Sequence, residues 1–180
     1  MTATMLTVTR RADPLDPIGH DPRSLYAERF WLGRLGPSSL WLLRLFAHHF
    51  DTTDTFTIDT TELAQRVGLA TSAARVRKTL DRLEHFNLLT TTAPSHVVVC
   101  GTVPWLPVAD VHRLPDTMRV EHQHAVDAFN TTHPELAELR DVAAHVAAMR
   151  RRGTDPTVIA QLLATWQISP AITLAVLHAA

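Results

Sequence analysis

The chain is short of the residue types from which several kinds of site are built. Its 180 residues include a single cysteine, Cys100, which excludes an internal disulfide framework and a cysteine-based zinc site. We expect Cys100 to be a small buried side chain on a strand. Lysine also occurs once, as Lys78, so nearly all of the positive charge comes from arginine.

The chain has no excess of charge of either sign. Its 17 basic residues and 18 acidic residues leave a formal net charge of −1. A near-neutral protein has no global attraction for nucleic acid or for an anionic membrane, so any DNA binding must come from local charge. With 46% apolar and 19% charged residues, the composition is that of a folded globular protein.

Targeting, membrane and catalytic motifs are missing as well. The N-terminus has no uninterrupted apolar run of the kind that signal peptides carry, so we expect a cytoplasmic protein. The apolar C-terminal segment is broken at Gln161, Gln167 and Ser169–Pro170, which argues against a membrane span. The chain contains no glycine-rich phosphate loop, no GxSxG or HExxH motif and no carboxylate cluster. We therefore expect no enzymatic activity and no metal or other cofactor.

Residues 58–89, IDTTELAQRVGLATSAARVRKTLDRLEHFNLL, have the pattern of two helices joined by a tight turn. Asp59 or Thr60 can cap the first helix, and Thr71 or Ser72 can cap the second. Gly68 supplies the residue that tolerates a positive φ between them. The pattern predicts a helix-turn-helix.

The second helix of this pair has an apolar face and a cationic face. At about 100° per residue, the positions predicted to be buried lie on one side and most of the cations on the other. A solvated helix face is the simpler interpretation of such cations. A recognition helix also needs this arrangement, with small and hydroxyl groups near its start and cations further along. The predicted buried set is Ala73, Val76, Leu80 and Leu83, and the opposite set is Thr71, Ala74, Arg75, Lys78, Arg82 and His85.

The segments on either side extend the pattern. A strongly apolar helix is predicted for residues 38–50, and Thr55–Asp59 has the alternation of a short strand. After the helix pair, two β-branched runs, 88–92 and 97–100, surround a proline turn and predict a hairpin. Helix, strand, helix, recognition helix and hairpin follow one another in the order of a winged helix.

With these motifs, the chain resembles the winged helix-turn-helix family of bacterial regulators, broadly of the MarR and GntR kind. TTELAQRVGL, TSAARVRKTLDRLEHFNLL and the hairpin through Val99 carry the resemblance, which covers roughly Pro37 to Thr102. It implies that the second helix enters the major groove and that the wing lies beside a phosphate strand or in the minor groove. The wing tip departs from the family because residues 93–96 include no arginine or lysine, which favours a mainly structural wing.

Three regions are predicted along the chain. Residues 1–23 contain three prolines and are expected to be an irregular leader, in which Arg10–Arg11 is either a solvated tail or an arm that contacts phosphates. Residues 24–107 form the winged helix-turn-helix domain. Residues 108–180 form a C-terminal helical region, whose last part, 156–180, has no Asp, Glu, Lys or Arg. An uncharged apolar end is expected to be buried in a dimer, together with part of helix 38–50.

The predicted fold class is therefore mainly α with a small β-hairpin: a winged helix-turn-helix followed by a C-terminal helical region of the dimerisation type. The predicted function is transcriptional regulation by a homodimer that binds double-stranded DNA and reads the major groove with helix 72–87. Two alternatives remain open. One is a winged-helix module for protein–protein interaction, and the other is a DNA-binding protein of plasmid maintenance or replication.

Each candidate contact residue has an expected role. Arg75 and Lys78 are the candidates for base contacts. Arg77 and Arg82 are expected to touch phosphates. The remaining candidates are Thr71 and Ser72 at the groove entrance and His96 on the wing.

Overall fold

We describe a computed structural model of the chain, in which residues 4–179 are placed. Its internal contacts divide it into two compact units. Of the described residues, the first unit contains 4–13 and His20–Val103, and the second contains Pro14–Gly19 and 104–179. The protein is mainly helical, as predicted, but its sheet has four strands and is larger than a single hairpin.

The first unit holds the sheet and the predicted helix pair. A short π-helix, Ala27–Trp31, leads directly into its first α-helix. In chain order the remaining elements are β1 (Met5–Arg11), α1 (Leu32–Leu35), α2 (Pro37–Phe50), β2 (Thr55–Asp59), α3 (Thr60–Arg66), α4 (Ala73–His85), β3 (Leu89–Ala93) and β4 (His96–Cys100).

The strands are ordered β2-β1-β4-β3 across the sheet. Strands β3 and β4 form the predicted antiparallel hairpin. Strand β1 pairs with β2 in the antiparallel sense and with β4 in the parallel sense, so that Val8 lies opposite both Phe56 and Val97. The N-terminal strand therefore separates β2 from the hairpin.

The irregular leader predicted for residues 1–23 is wrong for Met5–Arg11, which is a central strand of the sheet. The alternation that marks a strand is present in this segment, because Leu6 and Val8 are both buried. The prolines that suggested irregular structure all follow the strand. Arg10 and Arg11 are the last residues of this strand, so they form neither a solvated tail nor a flexible arm. Arg11 donates from Nη2 to the Asn87 carbonyl oxygen at 3.1 Å.

Helix α2 is formed as predicted, and most of its apolar side chains are buried within the first unit. Leu40, Leu42, Leu43 and Phe46 are each at most 2% exposed. Trp41 is the exception at 53% exposure, and its indole N–H donates to the Arg66 carbonyl oxygen at 3.3 Å. The apolar surface of α2, part of which was expected to pack against a second subunit, is therefore buried mostly within the first unit.

The second unit is helical. Val142 and Val146 from α7 pack with Ile159 and Leu163 from α8 and with Val176 from α9 to form its core. No helix within residues 4–179 is long and apolar enough to cross a membrane. The elements of the unit are a 3-10 turn (Asp16–Ile18), α5 (Val108–Val111), α6 (Asp116–Thr132), α7 (Pro134–Arg151), α8 (Pro156–Thr165) and α9 (Pro170–His178).

The buried face of α6 differs from the predicted one. The spacing of apolar residues over 118–129 predicts that Val120 is buried, but its side chain is 54% exposed, whereas His122 is buried. The ring of Trp105, from the proline-rich segment before α6, packs edge-on against the rings of His122 and Phe129. This segment covers the side of α6 that contains the histidine, which the helical periodicity alone did not show.

Candidate nucleic-acid interface

Helix α3 begins and ends as its sequence predicts. Asp59 is the N-cap, and its Oδ1 accepts from the backbone N–H groups of Thr61 and Glu62 at 2.8 and 3.0 Å. Gly68 follows the helix with a φ of +73°, and the Leu69 N–H then donates to the Ala64 carbonyl oxygen at 2.8 Å. A left-handed residue of this kind closes a helix C-terminus by satisfying its last carbonyls.

A short turn separates α3 from α4. Ala70 within it also has a positive φ, +55°. Ser72 is the N-cap of α4, and its Oγ accepts from the Arg75 N–H at 3.3 Å. Of the two predicted caps, Ser72 is therefore the one used, and the exposed Thr71 precedes it. The hydroxyl of Ser72 is already engaged with the helix.

The buried side of α4 is set by residues three and four apart. Val76, Leu80 and Leu83 are buried as predicted. Ala73, also predicted to be buried, is exposed at the first turn of the helix. Thr79 is buried instead, and its hydroxyl donates to the Arg75 carbonyl oxygen at 2.9 Å. The hydrogen bond satisfies the hydroxyl and makes this burial acceptable.

The C-terminal part of α4 is attached to the hairpin. Glu84 accepts from the Thr91 backbone N–H at Oε1, at 2.8 Å, and from the Thr91 hydroxyl at Oε2, at 3.1 Å. Both carboxylate oxygens are thus used by one residue of β3. No local sequence signal marks Glu84, because its partner belongs to a different element.

Arg75 and Lys78 lie on the exposed side of α4. Neither side chain makes a hydrogen bond or an ion pair with any other residue in the described part of the chain. They are three residues apart, so they are neighbours on the helix surface. These are the two cations of α4 that are available to an incoming partner.

The other two cations of α4 are engaged. Arg77 forms an ion pair with Asp81 at 2.9 Å between Nε and Oδ1. Arg82 donates to the Arg34 carbonyl oxygen, and its guanidinium carbon lies 5.9 Å from the centre of the Phe86 ring. Both side chains have contacts that they would have to leave, or share, in order to bind a phosphate.

Asp81 also belongs to this surface, although it was not among the predicted contact residues. Lys78 follows Ala74 by four residues and Asp81 follows Lys78 by three, so the three lie on one exposed stripe of the helix. Its side chain is 53% exposed. The four-residue spacing from Arg77 was the signal that could have identified it.

The wing is attached to the sheet at its tip. His96 is the first residue of β4, and its Nε2 lies 3.0 Å from the Thr9 hydroxyl oxygen of β1. The Ser95 carbonyl oxygen accepts from the Thr7 N–H at 2.8 Å. The histidine predicted as a wing contact is thus engaged with the neighbouring strand.

A second group of charged residues lies elsewhere in the first unit. Arg23 pairs with Asp21 at 2.6 Å and with Asp51 at 2.5 Å, and this guanidinium holds the pKa of both carboxyl groups below their usual values. Arg44 pairs with Glu28 at 3.1 Å. The neighbouring carboxylates thus neutralise the positive charge of both arginines, so this group is a poor binding site for anions. The shallow pocket beside them, of about 400 Å³, is lined by Arg23, Trp41, Arg44, Leu45 and His48.

Comparison with known proteins adds no relative. No protein-family model, no curated protein and no solved structure matches this chain. Functional inference therefore depends on the residues and contacts described above.

Proposed function

We propose that the protein is a transcriptional regulator of the winged helix-turn-helix kind that binds double-stranded DNA and inserts α4 into the major groove. The observation that carries the proposal is the pair Arg75 and Lys78, two exposed cations without side-chain partners in the described chain. They lie on the second helix of a closely joined pair, which is where helix-turn-helix proteins place their base-reading side chains.

The order of elements supports the same proposal. Helix α2, strand β2, helices α3 and α4 and the β3–β4 hairpin follow one another as in a winged helix. The insertion of β1 between β2 and the hairpin is a departure, but α3 and α4 remain adjacent, and Glu84 attaches the hairpin to α4. The proposed contacts are Arg75 and Lys78 to bases and Thr71 at the groove entrance. Arg77 and Arg82 would have to give up their present contacts, or bind a phosphate in addition to them.

We propose further that the protein acts as a homodimer, with the C-terminal helices as the main interface. Residues 156–180 have no charged side chain, and Val158, Trp166 and Leu174 are 44%, 48% and 56% exposed. Helix α2 would contribute less than the sequence suggested, because Trp41 is its main exposed apolar residue. Sedimentation equilibrium of the full chain would test the dimer. A monomer at micromolar concentration would contradict it.

DNA binding can be tested by fluorescence anisotropy with a mixture of genomic fragments at low and at moderate salt. We expect Arg75→Ala and Lys78→Ala each to weaken binding by about ten-fold or more, since each removes a charged contact to DNA. Arg113→Ala is a matched control, because it also removes one charge from a side chain that is 82% exposed. Wild-type affinity in the double variant Arg75→Ala/Lys78→Ala would show that the interface is assigned wrongly.

A protein–protein interaction module is the second candidate. It is favoured by the uncharged wing tip, the net charge of −1 and the exposed apolar residues of α8 and α9. Failure of the wild-type protein to bind DNA at low salt would leave this candidate in place. Plasmid maintenance or replication would use the same DNA-binding surface, and recovery of the bound genomic sites would distinguish it from transcriptional control.

A further inference from the structure

The side chains exposed on α4 select among the four bases. Arginine and lysine donate to O6 and N7 of guanine, and a carboxylate accepts from N4 of cytosine. Adenine is read by the amide of Asn or Gln. Residues 71–85 contain no Asn and no Gln, whereas Arg75, Lys78 and Asp81 are all exposed. The surface thus has charged readers for guanine and cytosine and no amide for adenine, and its exposed Thr71 and Ala74 offer only methyl contacts to thymine.

The spacing of these residues suits consecutive base pairs. At about 1.5 Å per residue, Arg75, Lys78 and Asp81 are separated by steps of about 4.5 Å along the helix axis. One base step along a DNA strand is about 3.4 Å. Ala74, which precedes the three readers, is exposed and small, so it does not keep the start of the helix away from the base edges. The three readers extend over about 9 Å, or between two and three base steps, and therefore cover about three to four base pairs.

The ion pair between Arg77 and Asp81 fits this arrangement. An unpaired carboxylate on a DNA-facing surface is repelled by phosphates, but the Arg77 guanidinium lies 2.9 Å from Oδ1 of Asp81 and compensates its charge. Each carboxylate oxygen carries more than one acceptor position, so the group can still accept from a cytosine amino group.

We infer that each half-site contains a short core of G·C pairs, with guanines contacted by Arg75 and Lys78 and a cytosine contacted by Asp81. This inference rests on the proposed DNA-binding function. It goes further in naming the bases and in giving Asp81, an acidic residue, a part in specificity.

Selection of duplexes from a randomised pool by the full-length protein tests the inference. We expect the enriched core to be G·C pairs. Replacing its guanines by 7-deazaguanine, which lacks the N7 acceptor, should weaken binding by about ten-fold to a hundred-fold. The same replacement outside the core is the control and should change affinity less than two-fold.

A change of specificity provides a second measurement. Lys78→Gln should shift the preferred base at one core position from guanine to adenine, because a glutamine amide pairs with N6 and N7 of adenine. Asp81→Asn should shift the preferred base at another position from cytosine towards adenine. It should also strengthen binding to unrelated DNA, since it removes a negative charge. Both residues are exposed, and a thermal unfolding curve would check that the variants are folded.

The possible failures are distinguishable. If no duplex is enriched even at low salt, both the proposed function and this inference are overturned. Three other results would show that the protein binds DNA but that the base assignment is wrong. The enriched sites could consist of A·T pairs, 7-deazaguanine in the core could leave the affinity unchanged, or Lys78→Gln could leave the base preference unchanged.

Discussion

At the scale of single residues, the four cations of α4 differ in what surrounds their side chains. Arg77 is paired with Asp81, and Arg82 donates to a backbone carbonyl, whereas Arg75 and Lys78 have no such partner in the described chain. A long side chain that is already held must give up a contact in order to bind phosphate. Residue type alone therefore does not say which cation is available.

Gly68 is the residue on which the turn between α3 and α4 most depends. Its φ of +73° is unfavourable for any residue with a Cβ, so we expect Gly68→Ala to lower the free energy of unfolding by about 1 kcal/mol. Gly33→Ala is the matched control. Gly33 lies in α1, and an added Cβ there meets nothing within 4 Å, so we expect a gain of about 0.4–1 kcal/mol.

Urea unfolding followed by circular dichroism measures both changes. The two variants should move the midpoint in opposite directions. A Gly68→Ala variant that unfolds at the same urea concentration as the wild type would contradict the left-handed turn.

At the scale of elements, α4 is fixed along its whole length. Ser72 caps its start, Val76, Leu80 and Leu83 pack against the core, and Glu84 ties its last turn to β3. The exposed face therefore has a defined orientation relative to the hairpin. A rigid element of this kind positions base-reading side chains more accurately than a loop does.

The packing of α6 against its neighbours predicts a dependence of stability on pH. Burial lowers the pKa of His122 below its usual 6.5, and the positive charge of Arg140 on α7 lowers it further. At pH values between the folded-state pKa and 6.5, the unfolded chain therefore binds more protons than the folded chain. Stability is accordingly full above pH 6.5 and falls as the pH drops through the folded-state value.

We expect the midpoint temperature of thermal unfolding to decrease when the pH is lowered from about 7.5 to about 5. In the His122→Phe variant this decrease should be smaller. His124→Phe, on an exposed residue of the same helix, is the control and should retain the wild-type dependence. Equal pH dependence in the wild type and the His122 variant would show that this imidazole does not contribute.

At the scale of the whole molecule, the proposed DNA binding would depend on local positive charge, because the chain as a whole is nearly neutral. The net charge is −1, and α4 offers two cations without side-chain partners. A logarithmic plot of affinity against salt has a slope of about −0.9 for each phosphate neutralised. In the proposed complex Arg75 and Lys78 contact bases, whereas Arg77 and Arg82 are the candidates for phosphates. If both arginines neutralise a phosphate, we expect a slope of about −2 for a monomer and about −4 for a dimer.

Anisotropy titrations between 50 and 200 mM salt, of the order used to measure such slopes, would give this value for a selected site. A much steeper slope would mean that cations other than Arg77 and Arg82 also neutralise phosphates. A slope near zero would mean that Arg77 and Arg82 keep their present partners and neutralise no phosphate on binding.

Much of the fold follows from the sequence because its signals are local. The caps at Asp59 and Ser72, the turn at Gly68 and the three- and four-residue spacing within α4 act over a single turn of helix. The hairpin was predicted in the same way, from two β-branched runs on either side of a proline turn. Interactions of this range depend only on neighbouring residues, so the printed sequence is enough to locate them.

Three features were decided by the tertiary structure. Met5–Arg11 is a strand because β2 and β4, both distant in the chain, pair with its two edges. His122 is buried because Trp105 packs on it. Arg82 is engaged because the Arg34 carbonyl oxygen lies beside it. Each of these depends on a contact between elements, and such contacts arise from the global arrangement of the chain. The sequence by itself determined where the helix pair lies, and only the structure decided that Arg75 and Lys78 are its available cations.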